Sequence, residues 1–81
     1  MDYKVEFSQD AKKELDKLEK EISIRILKKI KEIKEEPFHY IKRIIGSEIY
    51  SLRVGDYRVL MTIIEDKIFI VKIGHRRDVY E

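Results

Sequence analysis

The feature that most constrains the fold is a long amphipathic stretch between Ser8 and Glu36. It contains no glycine or proline, and its apolar residues recur every three or four positions, as on one face of a helix. These apolar residues are Ala11, Leu15, Leu18, Ile22, Ile26, Ile30 and Ile33. As a single helix the stretch would be about 42 Å long, whereas a compact chain of this size has a diameter of about 30 Å. We therefore predict a helical hairpin with its turn near residues 19–23; one long helix that projects into a partner is the alternative.

A strand is predicted before this stretch, and both ends of the helical region carry a boundary signal. Residues 3–7 alternate apolar and polar side chains, which is typical of a half-buried strand. Ser8 follows in the position of a helix N-cap. Pro37 ends the helical region, because the residue before a proline is disfavoured in α geometry. Residues 38–46 are predicted to form an irregular, basic connection.

Three alternating segments follow and predict an antiparallel meander. They cover residues 48–54, 57–64 and 67–73, joined by the short turns Gly55-Asp56 and Glu65-Asp66. Turns this short make successive strands antiparallel neighbours. We therefore predict an α+β fold: an N-terminal strand, a helical hairpin and then a three-stranded antiparallel meander, with the helices packed on one sheet face. Both sides of the second meander strand are largely apolar, which indicates exposed aliphatic surface that a partner covers.

Composition narrows the class of protein. With 81 residues the chain is predicted to form one domain, residues 1–81. Because it has no cysteine and two separated histidines, we expect no disulfide, no metal site and no cofactor. Charged residues make up 42% of the chain, a usage similar to that of thermophilic proteins, yet the net charge of +2 excludes a polycation that coats nucleic acid indiscriminately. No signal peptide, transit peptide or membrane span is recognisable, which predicts a cytoplasmic protein with no membrane contact.

Two motifs contain the side chains that can bind an anion or move a proton. The first, residues 52–59, reads Leu-Arg-Val-Gly-Asp-Tyr-Arg-Val, and the second, residues 73–80, reads Ile-Gly-His-Arg-Arg-Asp-Val-Tyr. The second motif directly follows a predicted strand, so its side chains are expected on a rigid edge. At this spacing, and with Ala-Lys-Lys-Glu-Leu at residues 11–15, the two motifs resemble the RelE branch of the RelE/ParE superfamily, the toxins of prokaryotic toxin–antitoxin pairs.

The resemblance covers essentially the whole chain and implies a fold, an activity and partners. The implied fold is the RelE-like, microbial-RNase-type fold. The implied activity is that of an endoribonuclease (an mRNA interferase) that cleaves mRNA in the ribosomal A site by metal-independent attack of the ribose 2′-hydroxyl and so inhibits translation. The implied partners are mRNA, the ribosome and a helical, acidic, RelB-like antitoxin that silences the toxin in a heteromeric complex.

The resemblance also implies roles for individual residues. Arg58 and Arg76 match two catalytic arginines that bind the scissile phosphate, and Arg76 also assists the leaving group. Tyr80 matches a tyrosine that stacks on the RNA and helps position or deprotonate the attacking hydroxyl. From the placement of positive charge, the residues predicted to bind RNA or the ribosome are Lys42, Arg43, Arg53 and Arg77. Strand alternation predicts that His75 points away from Arg76.

One departure from the family pattern leaves the general base unassigned. Ile49 and Ser51 stand where well-studied bacterial members carry two lysines with acid–base and charge-stabilising roles. Arginine does not give up its proton, and a tyrosine is a poor base unless cations lower its pKa. A ParE-like toxin that inhibits DNA gyrase without cleaving RNA, or a non-catalytic binding module of the same fold, are therefore the alternatives.

Overall fold

The protein has the predicted α+β fold, and the part of the chain that the structure describes contains two main helices, a five-stranded sheet and a short helix after the last strand. The computed structural model describes residues 2–79. The elements are β1 (Lys4–Phe7), α1 (Gln9–Lys17), α2 (Lys20–Ile33), a 3₁₀ turn (Pro37–His39), β2 (Lys42–Arg43), β3 (Tyr50–Val54), β4 (Tyr57–Ile64), β5 (Lys67–His75) and α3 (Arg76–Val79).

The amphipathic stretch forms two helices, so the predicted break is confirmed and the alternative of one long helix is wrong. Leu18 leaves helical geometry at φ −76° and ψ 154°, and its N–H donates to the Leu15 carbonyl at 3.3 Å. Glu19 is also extended, and its carbonyl accepts the N–H groups of Ile22 and Ser23 to start α2. The break therefore lies at residues 18–19, at the start of the predicted turn, and residues 20–23 are helical. Within residues 2–79 no helix is long and apolar enough to cross a membrane.

The sheet contains the predicted meander, the predicted N-terminal strand as β1, and a short strand, β2, that was not predicted. The strand order is β1-β5-β4-β3-β2, and β1 pairs with β5 in parallel while the other neighbours are antiparallel. β2 lies in the connection predicted to be irregular: Lys42 is opposite Ser51 and Arg43 is opposite Tyr50. The parallel pairing of β1 requires a crossover, and α1 and α2 supply it by covering one sheet face.

The core lies between that face and the two helices. Leu52, Val59 and Ile73 are aligned across β3, β4 and β5 and are at most 2% exposed. They pack with Met61, Ile68 and Ile70 against a helical set formed by Ala11, Ile26, Ile30 and Ile33. Tyr57 lies at the edge of this cluster.

The other sheet face, called the open face below, is left uncovered by α1 and α2. Its residues alternate with those of the core and include Ser51, Arg53, Arg58, Leu60 and Thr62. At one end of the open face the apolar surface predicted for β4 is present, since Ile64 is 68% exposed and the neighbouring Phe69 is 37% exposed. At the other end α3 packs on β4 and β5.

The Ser8 side chain connects the first helix to the sheet, and removing its hydroxyl is expected to lower the stability of the fold measurably. Its Oγ accepts a hydrogen bond from the Ala11 N–H at 3.0 Å and donates one to the Val71 carbonyl at 2.7 Å. Val71 is the extra residue of a β-bulge, because Leu60 and Met61 pair with Lys72 and Ile70 on either side of it. We expect Ser8→Ala to lower the free energy of unfolding by about 1–2 kcal/mol in urea denaturation.

Ser23→Ala is the matched control for that substitution. The Ser23 hydroxyl donates an exposed hydrogen bond to the Lys20 carbonyl within its own helix. We expect a change within about 0.5 kcal/mol. Equal effects of the two substitutions would contradict the role given to Ser8.

Candidate functional site

A basic pocket of about 210 Å³ lies on the open face, across β2, β3 and β4. It is lined by Tyr40, Lys42, Ser51, Arg53 and Arg58. Three of these five side chains are cationic. The pocket is therefore suited to an anion rather than to an apolar ligand.

Strand register explains why the cations converge. Ser51 and Arg53 are two apart on β3 and so share a face. The turn at Gly55, whose φ of +60° favours glycine, returns the chain so that Arg58 lies directly opposite Arg53. Lys42 comes from the edge strand, opposite Ser51. Two positive charges placed directly across two strands raise the local positive potential, which attracts an anion.

Arg58 is the most firmly placed of the three cations. It is half-buried, and its Nε is shielded from solvent. Its Nη1 donates to Ser51 Oγ at 3.5 Å, which directs the guanidinium across β3 toward β2. Arg53 is exposed, and its Nε donates to the Gly55 carbonyl at 3.1 Å. Arg58 thus presents a preoriented planar donor to the pocket, in the geometry that binds phosphate oxygens in pairs.

The second arginine motif begins α3 beside the same sheet end. Gly74 is opposite Arg58 on the neighbouring strand, so Arg76 follows two residues beyond that pairing. The Arg76 N–H donates to the Asp56 carbonyl at 2.9 Å, which ties the start of α3 to the β3–β4 turn. Arg76 and Arg77 are exposed and do not line the basic pocket. Tyr80 lies outside the described residues.

His75 faces the core side of the sheet, in agreement with strand alternation. It pairs with Tyr57, and the two rings meet edge to face with centroids 5.4 Å apart. Its Nδ1 accepts a hydrogen bond from the Arg77 N–H at 3.3 Å. His75 therefore supports the first turn of α3 rather than lining the basic pocket.

The structure brings together some of the residues predicted for RNA binding and separates others. Arg58, Lys42 and Arg53 share the basic pocket. Arg43 is opposite Tyr50 on the core side of the sheet, and its Nε donates to the Ser47 carbonyl at 2.8 Å. Arg43 and Arg77 are thus apart from the pocket, although both are exposed.

Two lining residues, Ser51 and Tyr40, were not predicted for the site. Ser51 shares a face with Arg53, a signal that strand alternation could have supplied. Tyr40 follows the 3₁₀ turn, and no pattern in the sequence indicates that it approaches β3. Its ring lies 5.2 Å from Lys29 Nζ, in a cation–π contact, and its centroid is 5.2 Å from that of His39.

Comparison with solved structures finds the same fold in proteins of toxin–antitoxin complexes. The chain matches the complex RelBE2 from Mycobacterium tuberculosis with a TM-score of 0.87 and 26% identity, covering 94% of this chain and 100% of the other. It matches the archaeal RelE–RelB complex from Pyrococcus horikoshii with a TM-score of 0.81 and 26% identity, over 98% and 100% of the two chains. It matches a mutant of Escherichia coli toxin RelE in the free state with a TM-score of 0.81 and 27% identity, over 98% and 88%.

Sequence comparison points to the same group. No curated protein matches the chain significantly. A family model described as the ParE toxin of type II toxin–antitoxin systems, parDE, matches residues 5–80, which is nearly the entire sequence. The resemblance to the RelE/ParE superfamily is thereby confirmed. The chain belongs to the ParE toxin family of type II toxin–antitoxin systems, within the RelE/ParE superfamily.

Proposed function

We propose that this toxin is an endoribonuclease that cleaves mRNA in the ribosomal A site, without a metal ion, by attack of the ribose 2′-hydroxyl on the adjacent phosphate. The observation that carries the proposal is the convergence of Arg58, Lys42 and Arg53 on one pocket of the open face. Phosphate is an anion that such a set of donors binds well. The solved structures described above, which contain RelE toxins alone or with RelB, support it as well.

The chemistry of the reaction fits the donors that are present. As the 2′-oxygen attacks, negative charge develops on the phosphate oxygens, and fixed cations stabilise that charge. Arg58, already oriented by Ser51, supplies this stabilisation. Arg76 contributes a second cation from α3, and Tyr80 provides a stacking surface for a base.

The ribosome is required because the toxin alone orients its substrate poorly. The basic pocket is small and at the surface, and the net charge of +2 gives little general attraction for RNA. Holding the strand in a reactive conformation accounts for a large part of the catalysis in such a reaction. The A site presents a codon in a fixed conformation and supplies that orientation.

The proposal is tested by incubating the purified toxin with programmed ribosomes and mapping the 5′ ends of the mRNA fragments. We expect breaks within the codon in the A site, and we expect Arg76→Ala to lower the single-turnover rate by about 100-fold. Arg77→Ala is the matched control at the adjacent residue. We expect it to weaken binding of the toxin to the programmed ribosome and to leave the cleavage rate at saturating ribosomes unchanged. Equal cleavage of naked RNA, or full activity of Arg76→Ala, would contradict the proposal.

The proposed partner is an acidic, helical, RelB-like antitoxin. Several of the matched structures are complexes of RelE-type toxins with RelB. On this chain such a partner would neutralise the basic pocket and cover Ile64 and Phe69, which lie at one end of the same face and are 68% and 37% exposed. In the assay above, the purified toxin–antitoxin complex is expected to leave the mRNA intact.

A second candidate function is inhibition of DNA gyrase without RNA cleavage. It is favoured by the description of the matching family model, which names the ParE toxin. A supercoiling assay with purified gyrase separates the two candidates. Loss of supercoiling together with intact mRNA on ribosomes would replace the first proposal with the second.

A further inference from the structure

We infer that Lys42 is the general acid that protonates the leaving 5′-oxygen, an inference that rests on the proposed ribonuclease function. The departure of a 5′-alkoxide from phosphorus requires a proton. The residue that supplies it must lie beside the phosphate and must be able to release a proton. Position and chemistry together select Lys42 from the residues that line the basic pocket.

The position follows from the register of β2. Lys42 lies directly opposite Ser51, and Arg58 Nη1 reaches Ser51 Oγ at 3.5 Å. A phosphate held by the Arg58 guanidinium therefore lies above Ser51, next to Lys42. Ser51 is small and buried, at 8% exposed, and the longer side chains of Arg58 and Lys42 line the same pocket around it. The two-residue edge strand β2 thus places the Lys42 ammonium group beside Ser51, where β3 itself has only a hydroxyl group.

The other residues that line the basic pocket are less suited than Lys42 to donate a proton to the leaving 5′-oxygen. Arg53 and Arg58 retain their protons under all relevant conditions. The Ser51 hydroxyl accepts the Arg58 hydrogen bond. The Tyr40 ring contacts Lys29 and His39 at the pocket wall, and a tyrosine lacks the flexible four-carbon stem of lysine. A lysine ammonium has three transferable protons and a flexible stem, so it can follow the leaving oxygen as the P–O bond lengthens.

The step balances in atoms and charge. The bond from the 2′-oxygen to phosphorus forms while the bond from phosphorus to the 5′-oxygen breaks, giving a 2′,3′-cyclic phosphate. Lys42 Nζ transfers one proton to the departing 5′-oxygen, which becomes a hydroxyl, and the resulting neutral amine takes up a proton from water. The proton of the 2′-hydroxyl is released to solvent, so the net proton count is unchanged.

The test uses Lys42→Arg and an mRNA whose scissile 5′-oxygen is replaced by sulfur. Arginine keeps the positive charge but does not release its proton, whereas a thiolate leaves without protonation. On ribosome-bound all-oxygen mRNA we expect Lys42→Arg to lower the single-turnover rate by about 100-fold. On the 5′-thio mRNA we expect the same variant to cleave within about threefold of the unmodified toxin, because the missing proton is no longer required. The loss and its rescue together identify proton donation.

Controls separate this role from binding and from folding. Lys67→Arg makes the same substitution outside the basic pocket, where Lys67 pairs with Glu6 at 3.3 Å, and is expected to stay within about twofold on both substrates. Equal defects of Lys42→Arg on the two mRNAs would reduce Lys42 to a phosphate-binding residue and overturn the inference. If instead Tyr40→Phe loses activity on the all-oxygen mRNA and recovers it on the 5′-thio mRNA, while Lys42→Arg does not, the proton donor is Tyr40 and the inference is wrong. If the unmodified toxin cleaves neither mRNA, the proposed function itself fails and this inference fails with it; if it cleaves both and Lys42→Arg is fully active, only the inference fails.

Discussion

Arg58→Ala is expected to lower the single-turnover rate of mRNA cleavage on ribosomes by about 1,000-fold, the upper range for removal of one preorganised donor to a developing oxyanion. The side chain is half-buried and held toward β2 by Ser51, so little reorganisation accompanies the build-up of charge on the phosphate. Arg53, across the strand pair, is exposed and anchored to the Gly55 carbonyl. It does not replace the donor geometry of Arg58.

A graded series distinguishes lost geometry from lost charge. Arg58→Lys keeps the charge but removes the planar pair of donors, and we expect a loss of about 100-fold, an intermediate value. Arg43→Ala removes an arginine from the opposite sheet side, where its Nε is bonded to Ser47, and we expect the rate at saturating ribosomes to change by about twofold or less. Thermal unfolding of each variant verifies that the sheet is intact. A folded Arg58→Ala protein with unchanged cleavage would exclude Arg58 from the reaction.

The parts of the fold that were predicted from sequence are those set by local patterns. β4 has the predicted bounds, residues 57–64, because alternation and the two flanking turns are all encoded in neighbouring residues. The parallel pairing of β1 with β5 was missed because Lys4 and Lys67, its first paired residues, are far apart in sequence and leave no local pattern. The helix break was predicted from overall size, and its position was approximate because Glu19 caps α2 without a side-chain hydrogen bond.

In the site, too, local sequence patterns predict some placements, and contacts between residues far apart in sequence decide the others. Arg53 and Arg58 are joined by a tight turn, so their shared face follows from the sequence. Lys42 and Arg43 are adjacent, and only the register of β2 on β3 decides that the first enters the basic pocket and the second does not. Because β2 has two residues, its existence and its register both depend on tertiary contacts. The acid–base gap left by Ile49 and Ser51 is filled, in our inference, from this neighbouring strand.

Gly74→Ala is expected to lower cleavage by about 100-fold, the scale of a displacement of about 1 Å in a catalytic group, while the sheet stays folded. Gly74 is buried opposite Arg58, and a Cβ at this position would collide with Cγ2 of Val79 in α3. The backbone of Gly74 lies outside the left-handed region, so alanine introduces no conformational strain of its own. Because valine has one strongly preferred rotamer in a helix, we expect the collision to push α3 away from β5 and to move Arg76 with it.

Val79→Ala provides the rescue that identifies this cause. It removes the colliding methyl group, whereas the Val79 Cβ lies 3.8 Å from the point that the alanine Cβ would occupy, an ordinary contact distance. The double variant Gly74→Ala/Val79→Ala is therefore expected to recover cleavage to within about threefold of the Val79→Ala single variant, a coupling that independent sites would not show. Hydrogen exchange reports the same displacement without an activity assay. In Gly74→Ala the Arg76 N–H should lose the protection given by its 2.9 Å bond to the Asp56 carbonyl, and the double variant should regain it. Retained protection at Arg76 in an inactive Gly74→Ala protein would show that α3 had not moved and that the loss arises at β5 itself.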